Sequence, residues 1–293
     1  MLILTLIFLI LLVIFPLEVS NSVASSLDLC LKSIIPALFP FLIVSYIITE
    51  TSIPNNYFTL FLSKLFNISP QSVPAYISGI LCGYPIGGKM ALELFEKGKI
   101  GNNEKDRLLI FANNSGPGFI IGMVGGVLFK SIHTGIIIYI SHVFSSLIYA
   151  IITSFSASKV KYSIPKENNK ISFLPALSFS IRKSMESLIN ITGVILFFSS
   201  VISLLNLIPS VASFSFKGLL FGLLEMTNGI KVIVSSTLSL RLKAAISSFL
   251  VTFSGFCVFM QLKSFSEKIN TASYFLGKTL CAVFAFLLTY FIV

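Results

Sequence analysis

The chain alternates long apolar runs with short polar segments. Nine runs come close to the roughly 20 residues that a helix needs to cross a bilayer. They cover residues 2–17, 31–49, 73–88, 108–129, 131–155, 185–207, 213–230, 243–262 and 274–293. A further apolar run, Tyr57–Phe66, is too short to cross and is typical of an interfacial or re-entrant segment. The pattern predicts an all-α, polytopic transmembrane protein with no separate aqueous domain.

Composition supports a membrane protein over a water-soluble one. Of the 293 residues, 55% are hydrophobic and only 11% are charged, whereas an average soluble domain has about 25% charged residues. A globule of this size could not bury so much apolar surface, so lipid must cover part of it. The lipid bilayer is therefore the first predicted partner.

The net charge of +10 comes largely from basic residues concentrated in loops. Five lie between Lys89 and Arg107, and six lie between Lys159 and Lys183. Such clusters between apolar runs are typical of cytoplasmic loops, so we expect no nucleic-acid partner. The same rule places both clusters in the cytoplasm, together with the loop that contains Lys231, Arg241 and Lys243.

These features divide the chain into four segments. They are an N-terminal transmembrane helix over 1–29, a first transmembrane repeat over 30–158, a cytoplasmic linker over 159–183 and a second repeat over 184–293. The N-terminal run lacks the basic start of a signal peptide, so we expect a retained helix.

Motifs recur in the same order in the two halves, which indicates an internal duplication. Gly79-Ile-Leu-Cys-Gly83 resembles Gly218-Leu-Leu-Phe-Gly222, and Ser115-Gly116 resembles Ser254-Gly255. Duplicated halves around a central site are common in secondary transporters. Counting basic loops predicts parallel halves, whereas a re-entrant hairpin over residues 73–89 would make them inverted.

Two apolar runs are interrupted by residues that disrupt helices, at Cys82-Gly-Tyr-Pro-Ile-Gly-Gly-Lys89 and at Asn113-Asn-Ser-Gly-Pro-Gly118. Proline removes a backbone donor and glycine loosens the helix. In lipid, backbone groups freed in this way must find protein, water or a solute as partners. Discontinuous helices therefore mark a binding site near the membrane midplane, although tight turns at the interface would give the same pattern.

The second half contains Glu225 within an apolar segment, where a charge costs at least about 2.5 kcal/mol. Such a carboxylate faces a cavity, carries a coupling proton, pairs with Lys89 or Lys231, or reaches the headgroups from a helix end. Ser254 and Gln261 are the polar residues of the next run, where helix packing is an equal alternative. The predicted solute-binding residues are Tyr84, Pro85, Gly87, Gly88, Lys89, Asn113, Asn114, Ser115, Gly116, Glu225, Thr227, Asn228 and Ser254.

Motifs of enzymes and metal sites are missing from the sequence. It has no phosphate-binding loop, no HExxH and no GxSxG, so we expect neither enzymatic activity nor a cofactor. The four cysteines have no CxxC spacing. His133 and His142 have no carboxylates near them in the sequence, and no metal site is predicted.

A set of ordered motifs carries a family resemblance. These motifs are Pro36-Ala-Leu-Phe-Pro-Phe41, the interruption that ends at Lys89, Arg107-Leu-Leu, Asn114-Ser-Gly-Pro117, Leu224-Glu-Met-Thr-Asn-Gly229 and Ser254-Gly-Phe. Over about residues 30–265 the chain resembles the YlbJ-type sporulation integral membrane proteins, which are grouped with the nucleoside-recognition or Gate-domain membrane proteins. It departs from the usual pattern at Asn114, where threonine is usual, and at Phe256, where a second glycine is expected.

The resemblance implies export of dipicolinic acid from the mother cell toward the forespore of a spore-forming bacterium. It also implies a multi-pass location in the outer forespore membrane and contacts with other sporulation membrane proteins. Dipicolinate is a small aromatic dianion, which suits helix N-termini, Lys89 and the polar groups of Asn113, Asn114 and Ser115. The same groups would suit other anions or a nucleoside, and a scaffold that transports nothing is a further alternative.

Overall fold

The structure, a computed structural model, describes residues 2–50, 57–157 and 173–293, and every regular element in these ranges is a helix. Four helices are long and apolar enough to cross a membrane, or five if a sharply bent pair near the amino terminus counts as one span. The four are Ile132–Ser154, Phe173–Asn206, Leu240–Phe265 and Thr271–Ile292. The predicted all-α polytopic fold is confirmed.

The amino-terminal segment is not the single helix predicted over 1–29. Leu2–Ile14 is followed by a bend of 96°, because Pro16 cannot donate a backbone hydrogen bond and starts a new helix instead. This second helix, Pro16–Leu29, does not stop at residue 29. It continues through a π-helical turn, Cys30–Ile34, into Ile35–Glu50. We call residues 16–50 the first scaffold helix.

The predicted linker over 159–183 is also shorter than expected, because the second scaffold helix, Phe173–Asn206, already includes its last residues. Residues 158–172 lie outside the described ranges. The two scaffold helices pack antiparallel: the hydroxyls of Tyr46 and Ser187 lie 2.7 Å apart, and those of Ser26 and Ser199 lie 2.6 Å apart.

The run predicted as a span over 73–88 belongs to a helical hairpin. Hairpin 1 consists of Val73–Cys82 and Ile86–Glu96, joined by a turn in which Gly83 has φ +86°. At about 1.5 Å per residue each arm is about 15 Å long, about half of the ~30 Å hydrocarbon core. The hairpin therefore enters the membrane and returns to the same side.

Contacts between the two arms establish the hairpin. At its base, the Gln71 side chain donates a hydrogen bond of 2.7 Å to the carbonyl of Lys99. Near its tip the backbones touch, and a Cβ on Gly87 would lie 2.8 Å from the Cα of Gly79. Only glycine allows so close an approach, which explains two of the glycines in this stretch.

The same construction replaces the span predicted over 213–230. Hairpin 2 consists of Lys217–Leu224 and Met226–Val234. A Cβ on Gly229 would lie 2.2 Å from the Cα of Gly222. Gly222–Gly229 is thus the counterpart of Gly79–Gly87, so the sequence alignment that matched Gly79 with Gly218 was wrong by one helical turn.

Each hairpin is followed by a broken helix. Broken helix 1 runs from Asn102–Phe111 through an irregular stretch into the π-helical segment Gly118–Leu128. Broken helix 2 is Leu240–Phe253 and Gly255–Phe265, separated by Ser254 in the left-handed conformation with φ +72°.

The order scaffold helix, hairpin, broken helix, long helix therefore occurs twice. The scaffold helices that begin the two halves run antiparallel, so the halves are inverted. The parallel arrangement predicted from the basic loops was wrong, and the alternative that follows from a re-entrant hairpin over 73–89 is the one observed. We call the side of the membrane that holds Lys99 the basic side. The Lys105 ammonium donates to the carbonyl of Lys268, which puts the end of broken helix 2 on that side. Lys243, with Lys231 and Arg241, consequently lies opposite and does not share the side of the two basic clusters.

The apolar core has two parts. One lies between the two scaffold helices and the hairpin tips. The other packs hairpin 1 against broken helix 1 and the helix that begins at Thr271. Because these parts hold the hairpins between helices of both halves, the tips of the hairpins are buried at the centre of the molecule.

Candidate functional site

Each hairpin tip packs against the break of the following helix. In the first half, a Cβ on Gly116 would lie 2.9 Å from the carbonyl carbon of Cys82. In the second half, a Cβ on Gly255 would lie 3.2 Å from the carbonyl oxygen of Gly222. Glycine lets the hairpin backbone approach the break at both places. Two pairs of interrupted helices therefore meet, one pair from each half.

A small cavity lies where the four interruptions meet; we call it the central cavity. Its volume is about 40 Å³, enough for a few water molecules at about 10–15 Å³ each. Its apolar wall includes Ile34 and Leu38 of the first scaffold helix and Ile191 and Ile195 of the second. The polar residues of its lining are Tyr84, Ser115, Glu225, Thr227 and Gln261.

Five of the predicted residues line this cavity: Tyr84, Ser115, Gly116, Glu225 and Thr227. The sequence placed them in different helices and different halves, and the fold brings them together. Gln261, which the sequence analysis noted only as a polar residue of the run over 243–262, also lines the cavity. Its side-chain amide oxygen has no hydrogen-bond partner among the described residues.

Glu225 begins the second arm of hairpin 2 as its N-cap. Its carboxylate accepts hydrogen bonds from the backbone N–H of Thr227 at 2.9 Å and of Asn228 at 2.8 Å. The Asn228 amide donates a third, at 3.0 Å. A carboxylate at this position satisfies free N–H groups and the positive end of the helix. Glu225 is 1% exposed, which excludes contact with the headgroups, and no ion pair joins it to a lysine in the described ranges.

Asn228 ties hairpin 2 to the scaffold. Besides Glu225, its amide donates to the hydroxyl of Ser199 at 3.0 Å. That hydroxyl is also bonded to Ser26, so one polar chain joins the hairpin to both scaffold helices. Asn228 does not line the cavity; it holds the Glu225 carboxylate, which does.

The other predicted residues of the first half stand around the cavity. Gly87 packs on Gly79, and a Cβ on Gly88 would lie 2.6 Å from a methyl of Leu262. Pro85 lines a neighbouring cavity. Lys89 lies on the basic side, with its ammonium 4.9 Å from the ring centroid of Phe265.

Asn113 and Asn114 make different contacts at the break of broken helix 1. The Asn114 amide donates to the carbonyl of Phe111 at 2.6 Å. The Asn113 amide lies 3.4 Å from the hydroxyl of Tyr274, which in turn lies 3.1 Å from the hydroxyl of Ser254. Asn113 and Ser254, both predicted, are therefore joined through Tyr274, and this buried contact links the two helix breaks.

Lys278 is the main residue that sequence reasoning missed. It is 1% exposed, and its ammonium donates to the carbonyl of Asn113 and lies 3.5 Å from the hydroxyl of Tyr84. The ammonium also lies 5.1 Å from the centroid of the Tyr84 ring. A charge inside an apolar run is a functional candidate by default. Lys278 is the only charged residue of the run over 274–293, so the pattern could have identified it.

His142 is the second residue that was missed, because the sequence favoured only a general structural or interfacial role for it over metal binding. Its Nε2 accepts a hydrogen bond of 3.0 Å from the backbone N–H of Ser115. Its Nδ1 lies 2.8 Å from the hydroxyl of Thr252. An acceptor role for Nε2 requires the neutral ring with its proton on Nδ1, which then donates to Thr252. His142 thus links the two helix breaks.

Metal and disulfide chemistry have no support in this arrangement. Among the described residues, no group of three His, Cys, Asp or Glu side chains could hold a metal ion. The four cysteines are buried and free. The chemistry that the site offers is hydrogen bonding, one buried cation, one buried carboxylate and an apolar wall.

Comparison with known proteins supports the resemblance found in the sequence. No family model matches the chain, and no solved structure matches it; the grouping with nucleoside-recognition or Gate-domain proteins therefore stays a prediction. The chain is similar to the sporulation integral membrane protein YlbJ of Bacillus subtilis strain 168, with 24% identity over 302 residues. The similarity covers 89% of this chain and 74% of that protein. This chain is thus a multi-helical membrane protein and a homologue of a YlbJ-type sporulation integral membrane protein.

Proposed function

We propose that this protein is a permease that moves a small polar or anionic solute across the membrane, with dipicolinate as the first candidate. The observation that carries the proposal is the meeting of two hairpin tips and two helix breaks around the central cavity. Interrupted backbone is tolerated at membrane depth only where protein, water or a solute satisfies it. Secondary transporters place their substrate sites between related halves in this way.

The lining of the cavity fits a flat solute with polar ends. Ile34 and Ile191, one from each scaffold helix, line the cavity, and they would contact an aromatic ring. Ser115 and Gln261 supply a hydroxyl and an amide for carboxylate oxygens. The ammonium of Lys278 lies 5.1 Å from the centroid of the ring of Tyr84, which lines the cavity, and would supply a positive charge close to the solute.

The cavity is too small for an aromatic dicarboxylate in the arrangement described, because it holds only a few water molecules. The proposal treats this arrangement as a closed state. Movement of a hairpin tip away from the facing break would enlarge the cavity and expose it to one side. Short re-entrant arms attached at one end are suited to such gating motions.

The cellular setting is part of the same proposal. The resemblance to YlbJ-type proteins points to the outer forespore membrane, to transport from the mother cell and to contacts with other sporulation membrane proteins. The rival function is a membrane scaffold for those proteins, in which the cavity residues bind nothing. The two functions differ in whether the purified protein alone moves a solute.

Uptake by proteoliposomes tests the proposal. We expect saturable uptake of radiolabelled dipicolinate and much slower uptake of uridine and glycerol. Ser115→Ala removes a hydroxyl from the cavity, and loss of a hydrogen bond to a charged group, about 1.5–3 kcal/mol, predicts uptake lower by at least about tenfold. Ser247→Ala removes an equally buried hydroxyl that lies outside the cavity, and it should transport normally.

The scaffold function makes the opposite prediction for the same vesicles. If folded wild-type protein takes up none of the three solutes, transport by this protein alone is wrong. Saturable uptake of uridine in place of dipicolinate would keep the permease and replace its substrate by a nucleoside.

A further inference from the structure

A groove on the basic side carries an unusual concentration of positive charge. It has a volume of about 250 Å³ and lies between hairpin 1 and the basic ends of the two scaffold helices. Its lining contains one acidic residue, Glu93, and four lysines: Lys89, Lys97, Lys99 and Lys183. Lys183 also pairs with Glu186 at 2.9 Å, so three lysines of hairpin 1 and its base supply the free positive charge.

A second cavity, also about 250 Å³, lies next to the groove at the tip of hairpin 1. It is lined by Pro85 at the tip of hairpin 1 and by polar residues that include Ser187 and Gln261. Ser187 marks its boundary with the groove, because its hydroxyl is bonded to that of Tyr46, which lines the groove. This cavity contains uncharged polar groups, so an anion that reaches it would be solvated there without being held tightly.

The second cavity in turn adjoins the central cavity. Gln261 and Ile191 line both. The amide oxygen of Gln261 lacks a hydrogen-bond partner among the described residues, so the amide can turn toward either cavity at low cost. The groove, the second cavity and the central cavity thus form a series with two narrow points, at Tyr46–Ser187 and at Gln261.

We propose that this series is the access route of a small organic anion, from the lysine-lined groove on the basic side to the central cavity. The inference rests on the proposed function and adds the side from which the anion enters and the residues that it passes. Clustered lysines raise the local concentration of anions and their rate of entry. Uncharged polar groups farther along let the anion move on, since passage requires binding that is favourable but weak.

The test uses a cysteine at Gln261, the wall shared by the second and central cavities. Gln261→Cys protein in proteoliposomes is treated from the basic side with a negatively or a positively charged methanethiosulfonate reagent. Cys82 and Cys257 also line the central cavity, so both are first changed to alanine, and the two remaining native cysteines are buried. We expect the anionic reagent to react at least about fivefold faster, and Ser247→Cys, buried outside these cavities, to react with neither.

Matched charge variants show whether the lysines cause this preference. Combining Lys89→Gln, Lys97→Gln and Lys99→Gln should remove the preference for the anionic reagent. As a control, the lysine-to-glutamine change is made at Lys217, Lys231 and Lys243, which lie on the side of the molecule opposite the basic side. This control should keep the preference for the anionic reagent. Equal rates for the two reagents, or no reaction from the basic side, would overturn the route.

Labelling does not depend on transport, so the two proposals can fail separately. Anion-selective labelling without dipicolinate uptake would keep the route and reject dipicolinate transport by this protein alone. Dipicolinate uptake without anion-selective labelling would keep the permease and reject this route.

Discussion

Lys278→Met is expected to lower solute uptake by about a hundredfold or more and to lower the melting temperature by several degrees. Methionine keeps the length and apolar stem of lysine, so the change removes mainly the ammonium. The carbonyl of Asn113, freed by the break in broken helix 1, then loses its donor. A buried polar group left without a partner costs about 1–3 kcal/mol, and Tyr84 loses the cation that lies over its ring.

This change acts on both halves at once, because Lys278 belongs to the second half and contacts Tyr84 and Asn113 of the first. Initial uptake rates in proteoliposomes and melting curves in detergent measure the two effects. Lys268→Met is the matched control, since Lys268 has an exposed side chain just before the same helix. Wild-type uptake and melting temperature in Lys278→Met would show that the buried ammonium has no role in the site.

Glu225→Ala is expected to have the second largest effect. Three donors point at this carboxylate, two of them backbone N–H groups at the start of an arm of hairpin 2. Loss of an N-cap costs about 0.5–2 kcal/mol, and charged hydrogen bonds are worth about 1.5–3 kcal/mol each. We expect a melting temperature lower by several degrees and uptake lower by at least about fiftyfold, because the hairpin tip forms the cavity wall.

The variant Glu225→Gln distinguishes the role of Glu225 as a helix N-cap from its role as the carrier of a coupling proton. Glutamine keeps one acceptor oxygen and the side-chain shape, so we expect a melting temperature closer to wild type than that of Glu225→Ala. If Glu225 carries a coupling proton, proteoliposomes with Glu225→Gln no longer accumulate the solute against its gradient, while the melting temperature of the variant stays close to that of wild type. Unchanged uptake in Glu225→Gln would remove the coupling role and leave the cap. Glu267→Ala, at an exposed glutamate, should behave as wild type.

The parts of the site that could be predicted from sequence are those whose chemistry conflicts with lipid. Proline and glycine in an apolar run, and a carboxylate in another, cannot be explained by a simple spanning helix. Tyr84, Ser115 and Glu225 were identified on that ground, and all three line the central cavity. Lys278 carries the same kind of conflict and could have been found in the same way.

Partners that come from different halves could not be predicted. His142 bonds to the backbone of Ser115 and to Thr252, residues 27 and 110 positions away along the chain. Nothing in the local pattern around a lone histidine indicates such contacts. The sequence marked the helix breaks, and the fold decided which side chains satisfy them.

The topology was wrong for a related reason. The segment 73–88 of hairpin 1 has the composition of a spanning helix, and its hydropathy does not show that the chain reverses direction within it. The reversal depends on Gly83 with positive φ and on the close contact of Gly79 with Gly87. Because hairpin 2 was also read as a span, the loop with Arg241 and Lys243 was assigned to the side of Lys99, although it lies on the opposite side.

Site-directed labelling tests most directly whether two hairpins enter from opposite sides. Single cysteines replace Lys99, Lys268, His133 and Thr237, all exposed positions, and a membrane-impermeant maleimide is applied to each side of oriented vesicles. Hairpins predict that Lys99→Cys and Lys268→Cys react from one side, and that His133→Cys and Thr237→Cys react from the other. If Thr237→Cys reacts from the side of Lys99→Cys and Lys268→Cys reacts from the opposite side, hairpin 2 is a span and the inverted arrangement is wrong.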